Sequence, residues 1–497
     1  MPKNKQKKKK TGVSRSNYEV RNAQNKKASE KNTTQYIVRW IIIILLVFAL
    51  AGSLFFGIVS SAYSLPSPEA RTLTLHEQRV GHPYLKEYLQ HPQLQPGDRI
   101  DGRPAEDYER LTDDLPVVQA PIAALCTRDG RILFERNIDE QVAMASTTKM
   151  MTAIIALESL PLETPLVVTY GAANTGGTSA GLAAGMRITL LDCLYALMLP
   201  SGNDASVVIA ENIAGMESRF VALMNEKAQE LGMTSTLYAD SSGLSSDGHY
   251  STARDYLVLA QYCMRNPTFR QIVGTGTHEA NAGGHILNFI TTDALSFYLK
   301  DATAIGIKTG YTDEAGYCFV GAGQANGLEL YSVVFNASSQ ERRFIDTANM
   351  LEWGFRHYRT VELINTTQQV AEVALLSWMD KTVPAYVPAV VRIELFDLNG
   401  PITQDIKIKD IEGEATKGQV CGEIIWSQGG EVQMISEIVV SRTVRAPDFF
   451  ESLRIAWDRF VGSFSNVPPN AETTILLKSE LNIPDSPPML EPLQNAA

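Results

Sequence analysis

Ala145-Ser146-Thr147-Thr148-Lys149-Met150-Met151-Thr152-Ala153 sets a hydroxyl and an amine three positions apart at the front of an apolar run. In a helix, positions i and i+3 share a face, so the two side chains can touch. A serine hydroxyl is a poor nucleophile until a neighbour takes its proton. Lysine can be that neighbour only if its pKa, about 10.4 when free, falls toward about 7, a shift worth about 4 to 5 kcal/mol. Burial in an apolar helix such as Met150 to Leu160 supplies the desolvation. The pair alone says little, because both residue types are common and chance matches are expected. Its company decides.

Ser201-Gly202-Asn203 and Lys308-Thr309-Gly310 follow, in that order. Ser201 can relay a proton between the lysine and a leaving amine, as the collapse step of acyl transfer requires. Asn203 offers an amide to hold Lys149 or a substrate carbonyl. Lys308, on a predicted strand with Thr309, can bind a carboxylate, and Gly310 lets a substrate backbone lie against that strand. A second Lys-Thr-Gly, Lys10 to Gly12, sits in a charged tail ahead of a long apolar segment and cannot line the same site.

Charge is unevenly spread along the 497 residues. Met1 to Arg39 holds twelve Lys or Arg against Glu19 and Glu30, a balance of +10, which leaves −21 of the total −11 for Trp40 to Ala497. That acidic bulk argues against nucleic acid as a partner. Trp40 to Val59 is uncharged and apolar, and at 1.5 Å per residue it spans about 30 Å, a bilayer core. The basic flank then stays in the cytoplasm and the rest lies outside, attached to the cell membrane. A signal peptide cleaved after Ser60-Ser61-Ala62 is the competing reading. Five widely spaced cysteines outline neither a disulfide framework nor a zinc site. His76-Glu77, with its next histidine at His82, lacks metalloprotease spacing. No metal and no cofactor is expected.

The chain divides into a basic tail (1–39), an anchor or signal-like segment (40–61), a proline-rich stalk (62–114), a folded domain (115–360), an all-β domain (361–446), an amphipathic helix (447–466) and a disordered proline-rich tail (467–497). Ala120–Cys126 and Arg131–Glu135 flank Asp129-Gly130, a hairpin signature. Leu190–Leu199, Ala205–Ile213 and Phe220–Leu231 read as helices, and Thr252 to Asp255 resembles a capping box. Ala304–Lys308, Tyr317–Gly321 and Leu328–Asn336 read as strands, followed by a helix over Phe344–Tyr358. One sheet built from both ends around a helical block is an α+β arrangement. Four β-like runs, Val390–Phe396, Ile402–Ile408, Gln419–Trp426 and Glu431–Val440, make the next domain. Asp448–Phe464 then gathers Phe449, Phe450, Leu453, Trp457, Phe460, Val461 and Phe464 on one helical face. It either lies on a membrane surface or packs on the β domain.

The three strings in this order resemble the active-site serine penicillin-recognising enzymes. Their longer contexts are more specific: Ala145 to Ala153, Pro200 to Ala205, Leu231-Gly-Met233, Ser242-Gly-Leu244, Ser251 to Asp255, Gly306 to Thr312 and Ala315-Gly-Tyr317 are similar to the low-molecular-weight penicillin-binding proteins that are serine D-alanyl-D-alanine carboxypeptidases. The resemblance runs from about Leu115 to Tyr358. It implies a β-lactamase/transpeptidase-like α+β domain followed by a small all-β domain, stem peptides ending in D-Ala-D-Ala as substrates, and β-lactams as inhibitors. It makes Ser146 the acylated nucleophile, Lys149 its base, Ser201 and Asn203 the proton path, and Lys308, Thr309 and Gly310 the strand that takes the terminal carboxylate. Ser146 and Tyr311 would give the oxyanion-hole N–H groups, worth about 3 to 4 kcal/mol each. Arg343 falls where related enzymes carry a substrate-side arginine, a solvated surface arginine being the alternative. His278 to Lys300 is less familiar and yields no second basic residue. A D,D-endopeptidase shares all three strings; a β-lactamase would need an acidic loop that is not apparent; a non-catalytic penicillin-binding sensor or scaffold would acylate without turnover.

Overall fold

The computed structural model describes residues 94–109, 114–244, 247–464 and 468–477. The basic tail, the apolar segment at 40–61 and the last twenty residues lie outside them. Among the described residues no helix is long and apolar enough to cross a membrane.

The described chain starts with two short strands, β1 (Arg99–Ile100) and β2 (Arg103–Pro104), and a helical turn, α1 (Glu106–Glu109). The hairpin β3 (Ile122–Thr127) and β4 (Ile132–Arg136) comes next. Gly130 turns it at φ +101, and the Arg131 N–H donates to the Thr127 hydroxyl. A helical block is then inserted: α2 (Lys149–Ser159), the small pair β5 (Pro165–Val167) and β6 (Arg187–Thr189) around α3 (Tyr170–Ala173), α4 (Leu190–Met198), α5 (Asn203–Ala214), α6 (Glu217–Glu230), α7 (Ala253–Arg265) and α8 (Pro267–Val273). The hairpin β7 (Thr277–Ala282) and β8 (His285–Ile290) leads back to the sheet through β9 (Thr303–Thr312), β10 (Gly316–Ala325) and β11 (Leu328–Ala337), and α9 (Gln340–His357) closes the domain.

The seven strands run in the order β2-β1-β4-β3-β11-β10-β9, every neighbouring pair antiparallel. Both faces of this sheet are covered, as β11 records: alternate residues of a strand point to opposite faces. Tyr331, Val333 and Phe335 enter the core shared with the helical block. Leu330 and Val334 enter a second core with Trp353 and Leu351 of α9. The domain therefore joins its two chain ends in the middle of one sheet, β3 beside β11, and the helical block lies over one face. That α+β order is the expected one.

Several boundaries differ from the sequence reading. Residues 94–109 are not stalk: β1 extends the sheet at β4, Ile100 and Tyr108 are buried, and the Asp98 carboxylate accepts 2.8 and 2.6 Å bonds from a buried Arg136 guanidinium. Strands two residues long between Pro96-Gly97 and Asp101-Gly102 carry no periodicity that could announce them. The Thr252 hydroxyl caps α7 at Asp255 N–H, but the Asp255 carboxylate turns to Ser235 and Thr236 instead of back to Thr252, so half a capping box forms.

The second domain begins without a linker. β12 (Tyr358–Ile364), β13 (Ala371–Ala374), β14 (Thr382–Tyr386), β15 (Val391–Phe396), β16 (Ile402–Ile408), β17 (Val420–Gln428) and β18 (Glu431–Val440) follow. The helix α10 (Phe449–Gly462) and a last short strand, β19 (Thr474–Ile475), complete it. β12 pairs with β15; the rest form a sheet ordered β16-β17-β18-β14-β13-β19. Residues 468–477 were expected in the disordered tail, yet Leu476 N–H donates to Val370 O and β19 pairs with β13. Backbone pairing rather than side-chain pattern orders this stretch, and composition is blind to that.

Candidate active site

The nucleophile string is less regular than a helix. Ala145–Thr148 is one 3₁₀ turn entered through Ala145 at φ +47, a left-handed conformation that side chains other than glycine seldom adopt. Lys149 then opens α2, so Ser146 and Lys149 still face each other across one turn. The Lys149 ammonium, fully buried, donates 2.7 Å to Ser146 Oγ, 2.7 Å to Asn203 Oδ1 and 2.9 Å to Ser242 O. Burial lowers its pKa to about 7, with Asp240 and Asp204 pulling the other way. An amine of this pKa can act as a base near neutral pH. A neutral amine keeps two protons for Asn203 and Ser242 O, and its lone pair is left for the serine proton.

Ser201 sits at φ +68 just before α5, and Asn203 is the first residue of that helix. A side chain on Gly202 would lie 2.6 Å from Asp204 Oδ1 and 2.9 Å from Ala196 O, so the turn requires glycine. Both ends of the Asn203 amide are occupied: Oδ1 by Lys149, Nδ2 by Gly176 O at 2.8 Å. It orients the lysine through Oδ1, while Nδ2, with one of its two protons on Gly176 O, keeps the other for a substrate carbonyl. Asp204 was not singled out from sequence. Its buried carboxylate accepts from Ser179 Oγ and from the N–H groups of Ala180, Gly181, Leu182 and Ala205, which pins the glycine-rich loop to the Ser-Gly-Asn turn. Its sequence signal is its place in the string Pro200 to Ala205, next to Asn203.

The third string lies on β9. A Cβ on Gly310 would meet Ala145 Cβ, Met144 O and Ser146 N, each at 3.1 Å, so the missing side chain brings this strand onto the nucleophile turn. Lys308 is buried and donates to Thr309 O at 2.9 Å; burial, with Lys149 and Arg343 nearby, holds its pKa well below the usual lysine range. The Thr309 hydroxyl meets that of Thr292 at 2.6 Å. Tyr311 is half exposed, its ring 4.4 Å from that of Tyr317. Arg343 is buried on α9, which removes the surface-arginine alternative. It donates 2.9 Å to Gly310 O and 3.4 Å to Cys318 O, and its Nε is buried without a partner. Arg342, its neighbour, turns to Asp346. Opposite lies Asp293, from the stretch that sequence reading left blank: burial raises its pKa to about 6 against the pull of its Leu295 N–H bond, Arg343 and Lys308.

Ser146, Lys149 and Asn203 thus form one hydrogen-bonded set, Ser201 precedes the same helix turn, and β9 brings Lys308 to Tyr311 alongside, with Arg343 behind Gly310. A serine hydroxyl served by a buried lysine of lowered pKa, beside a strand that carries Lys308 and is backed by Arg343, defines a serine acyl-transfer enzyme of the penicillin-recognising class. The comparisons with known proteins narrow this. The family model described as D-alanyl-D-alanine carboxypeptidase, Peptidase_S11, matches residues 114–339. The D-alanyl-D-alanine carboxypeptidase DacF of Bacillus subtilis is 31% identical over 359 residues, 69% of this chain and 91% of that protein. The chain belongs to the D-alanyl-D-alanine carboxypeptidase family. A D-alanyl-D-alanine endopeptidase of Pseudomonas aeruginosa is 33% identical over 247 residues, 48% of this chain and 79% of its own length. The fold is that of penicillin binding protein 5 from Haemophilus influenzae, at TM-score 0.50 and 22% identity, covering 66% of this chain and 98% of that one.

Proposed function

We propose that this enzyme removes the terminal D-alanine from peptidoglycan stem peptides through an acyl-enzyme on Ser146. The observation that carries the reading is the 2.7 Å bond between Ser146 Oγ and a lysine whose pKa is about 7. Neutral Lys149 takes the serine proton as Oγ attacks the carbonyl of the penultimate D-alanine. The oxyanion faces the N–H groups of Ser146 and Tyr311, donors fixed before the charge forms. As the C–N bond breaks, the proton passes from Lys149, by way of Ser201, to the departing amine of D-alanine. Water then attacks the ester, Lys149 takes its proton, and Ser146 recovers the hydroxyl hydrogen. The substrate carboxylate lies along β9 with Lys308, Thr309 and Arg343, and the buried Arg343 Nε has a proton left to donate. A β-lactam acylates the same serine, but its leaving amine stays tethered.

The test is a paired assay of wild type and Ser146→Ala, measuring acylation by labelled penicillin and D-alanine release from a peptide ending in D-Ala-D-Ala. Wild type should do both and the variant neither. The similarity to an endopeptidase supports a second reading, cleavage of D,D crosslinks. Acylation without D-alanine release would favour it, and a purified crosslinked dipeptide would separate it from a sensor without turnover.

Attachment to the cell membrane, with the catalytic domain on its outer side, belongs to the same proposal. Within α10 only Ile455 is buried, while Phe449, Phe450, Leu453, Trp457, Phe460 and Val461 face outward. An apolar face of this kind suits the headgroup boundary of a bilayer, and Trp40 to Val59 would be a second anchor. Sedimentation with vesicles tests it.

A further inference from the structure

A histidine that the acyl-transfer steps do not use lies close behind the nucleophile. His249, buried, comes from the segment that precedes α7. Its Nδ1 stands 2.9 Å from the backbone N–H of Ala239, which can only donate, so Nδ1 is the accepting nitrogen. The ring proton is therefore on Nε2, which lies 2.8 Å from Thr148 Oγ1. That hydroxyl uses its own hydrogen for Ala145 O at 2.8 Å. Each partner's direction is fixed by the next, and the chain ends on the carbonyl of the left-handed residue that aims Ser146.

The surroundings leave this carbonyl little freedom. A Cβ on Gly243 would fall 1.8 Å from Ala145 O, so the segment Ala239 to Gly243 presses directly on it. The same segment accepts the Lys149 ammonium at Ser242 O and the Thr152 hydroxyl at Ser241 O. His249 is thus the tie between this wall, at Ala239, and the nucleophile turn, at Thr148.

We propose that His249 is a positioning residue for the acylation step, which holds Ala145 in its left-handed conformation through Thr148 and does so only as the neutral imidazole. The inference deepens the acyl-enzyme reading and rests on it. A proton on Nδ1 would face the Ala239 N–H donor at 2.9 Å, and two donors cannot share that space. The tie to the wall then opens, and Ser146 loses its aim. The groups around the ring are Asp240, whose charge favours the protonated form; Tyr238, edge-on at 5.7 Å; Tyr256 of α7, beside Thr148; and Lys149, one residue beyond Thr148. Burial outweighs Asp240 and keeps the ring neutral below its ordinary 6.5.

The experiment uses the full chain in detergent and a fluorescent penicillin in rapid mixing, separating initial binding from the acylation rate across the acid range. Wild type, His249→Gln and His249→Leu are compared. In wild type the logarithm of the acylation rate should fall with slope one as Lys149 protonates and steepen toward two as His249 follows. Glutamine can accept from Ala239 and donate to Thr148 without titrating, so this variant should match wild type near pH 8 and fall less steeply than wild type, by about one unit of slope, in the acid range. Leucine can do neither, and its acylation rate should drop about 10- to 100-fold with initial binding unchanged. Asp293, raised to about 6 by burial, is present in all three proteins, so its protonation enters every profile alike and cancels in the comparison. Wild-type acylation by the leucine variant, or a glutamine profile as steep as that of wild type across the acid range, would overturn the proposal. Should leucine prevent folding, the glutamine profile decides alone. Should no variant acylate at all, wild type included, the acyl-enzyme reading fails rather than this one.

Discussion

The catalytic centre and helix α10 break the usual partition of residues in opposite directions. Around Ser146 the chain buries charge: Lys149, Asp204 and Lys308 are all at 1% exposure or less. On α10 it exposes apolar surface: Phe450 is 79% exposed and Trp457 65%. Buried charge is expensive unless its protons and lone pairs are met, and Lys149 and Asp204 have theirs met by named donors and acceptors. Exposed aromatic surface is cheap to tolerate but gives the fold nothing. In the first region surrounding structure compels the exception, with cores on both faces of the sheet. In the second almost nothing does, since α10 is held by Ile455 in the β-domain core, by Arg459 donating to Leu376 O and Asn470, and by a capping box at Asp448. A charge buried at such cost points to chemistry done on a small polar ligand. An apolar face left open is what the proposed contact with a bilayer would use.

The largest effect separates the two regions by the kind of loss they suffer. Lys149→Met should reduce acylation and D-alanine release by about 10³-fold or more, because the group hydrogen-bonded to Ser146 Oγ and placed to take its proton is gone. Stability should move the other way. With a folded pKa of about 7 against 10.5 when exposed, Lys149 binds fewer protons in the folded state between those values. Its destabilising effect is complete below about pH 7, about 5 kcal/mol at most, and disappears as pH rises toward 10.5. Denaturant titrations at about pH 6 and pH 9 should show wild type gaining stability with pH and Lys149→Met lacking that gain. Equal melting of the two proteins at both values would mean that the lysine is not held as the geometry says.

A buried charge that is paired should behave in the opposite sense. His357, at the end of α9, lies 2.8 Å from Asp397 and 3.2 Å from Asp114. Although burial works against it, those two carboxylates hold its pKa up at about 8. A raised histidine stabilises fully below about 6.5, and the contribution, about 2 kcal/mol, fades as pH rises through about 8. His357→Gln should therefore be less stable than wild type near pH 6 and indistinguishable from it near pH 9, with D-alanine release unchanged at either value. Because Asp397 belongs to the β domain and Asp114 to the segment ahead of β3, the loss should appear as earlier separation of the domains in limited proteolysis.

How much of this was legible follows from what each signal consists of. Ser146 to Lys149, Ser201 to Asn203 and Lys308 to Gly310 are local strings, and their spacing survives translation into structure because each sits at the start of a helix or within one strand. The left-handed Ala145 was not legible, since nothing in an alanine announces φ +47; the reason lies 100 residues away, in Gly243 and His249. Asp204 and Asp293 act through burial, which sequence does not show. β1 and β19 are ordered by backbone pairing, and β12 to β14 follow α9 without the glycine-bearing turns that marked the later strands. For α10 the helical wheel displayed the apolar face correctly but could not say which face docks. Ile455, about opposite the apolar stripe, does.

That last point gives the smallest effect on the enzyme and the cleanest separation. Phe450→Ser with Trp457→Ser removes two side chains that touch little protein, so stability should stay within about 0.5 kcal/mol of wild type. Ile455→Ala removes one side chain from the β-domain core and should cost about 2 kcal/mol, as an unfilled space left by a buried aliphatic group does. Against vesicles the order should reverse. The serine pair should lose at least about tenfold in partitioning, since each apolar side chain buried is worth about 1.5 to 3 kcal/mol, while the alanine variant, where still folded, should bind as wild type does. D-alanine release from a soluble peptide should be the same in all three proteins, because α10 holds on to the β domain alone. If the serine pair instead melts early and partitions normally, the outward face is packed against protein, and α10 ceases to be the counterpart of the catalytic centre.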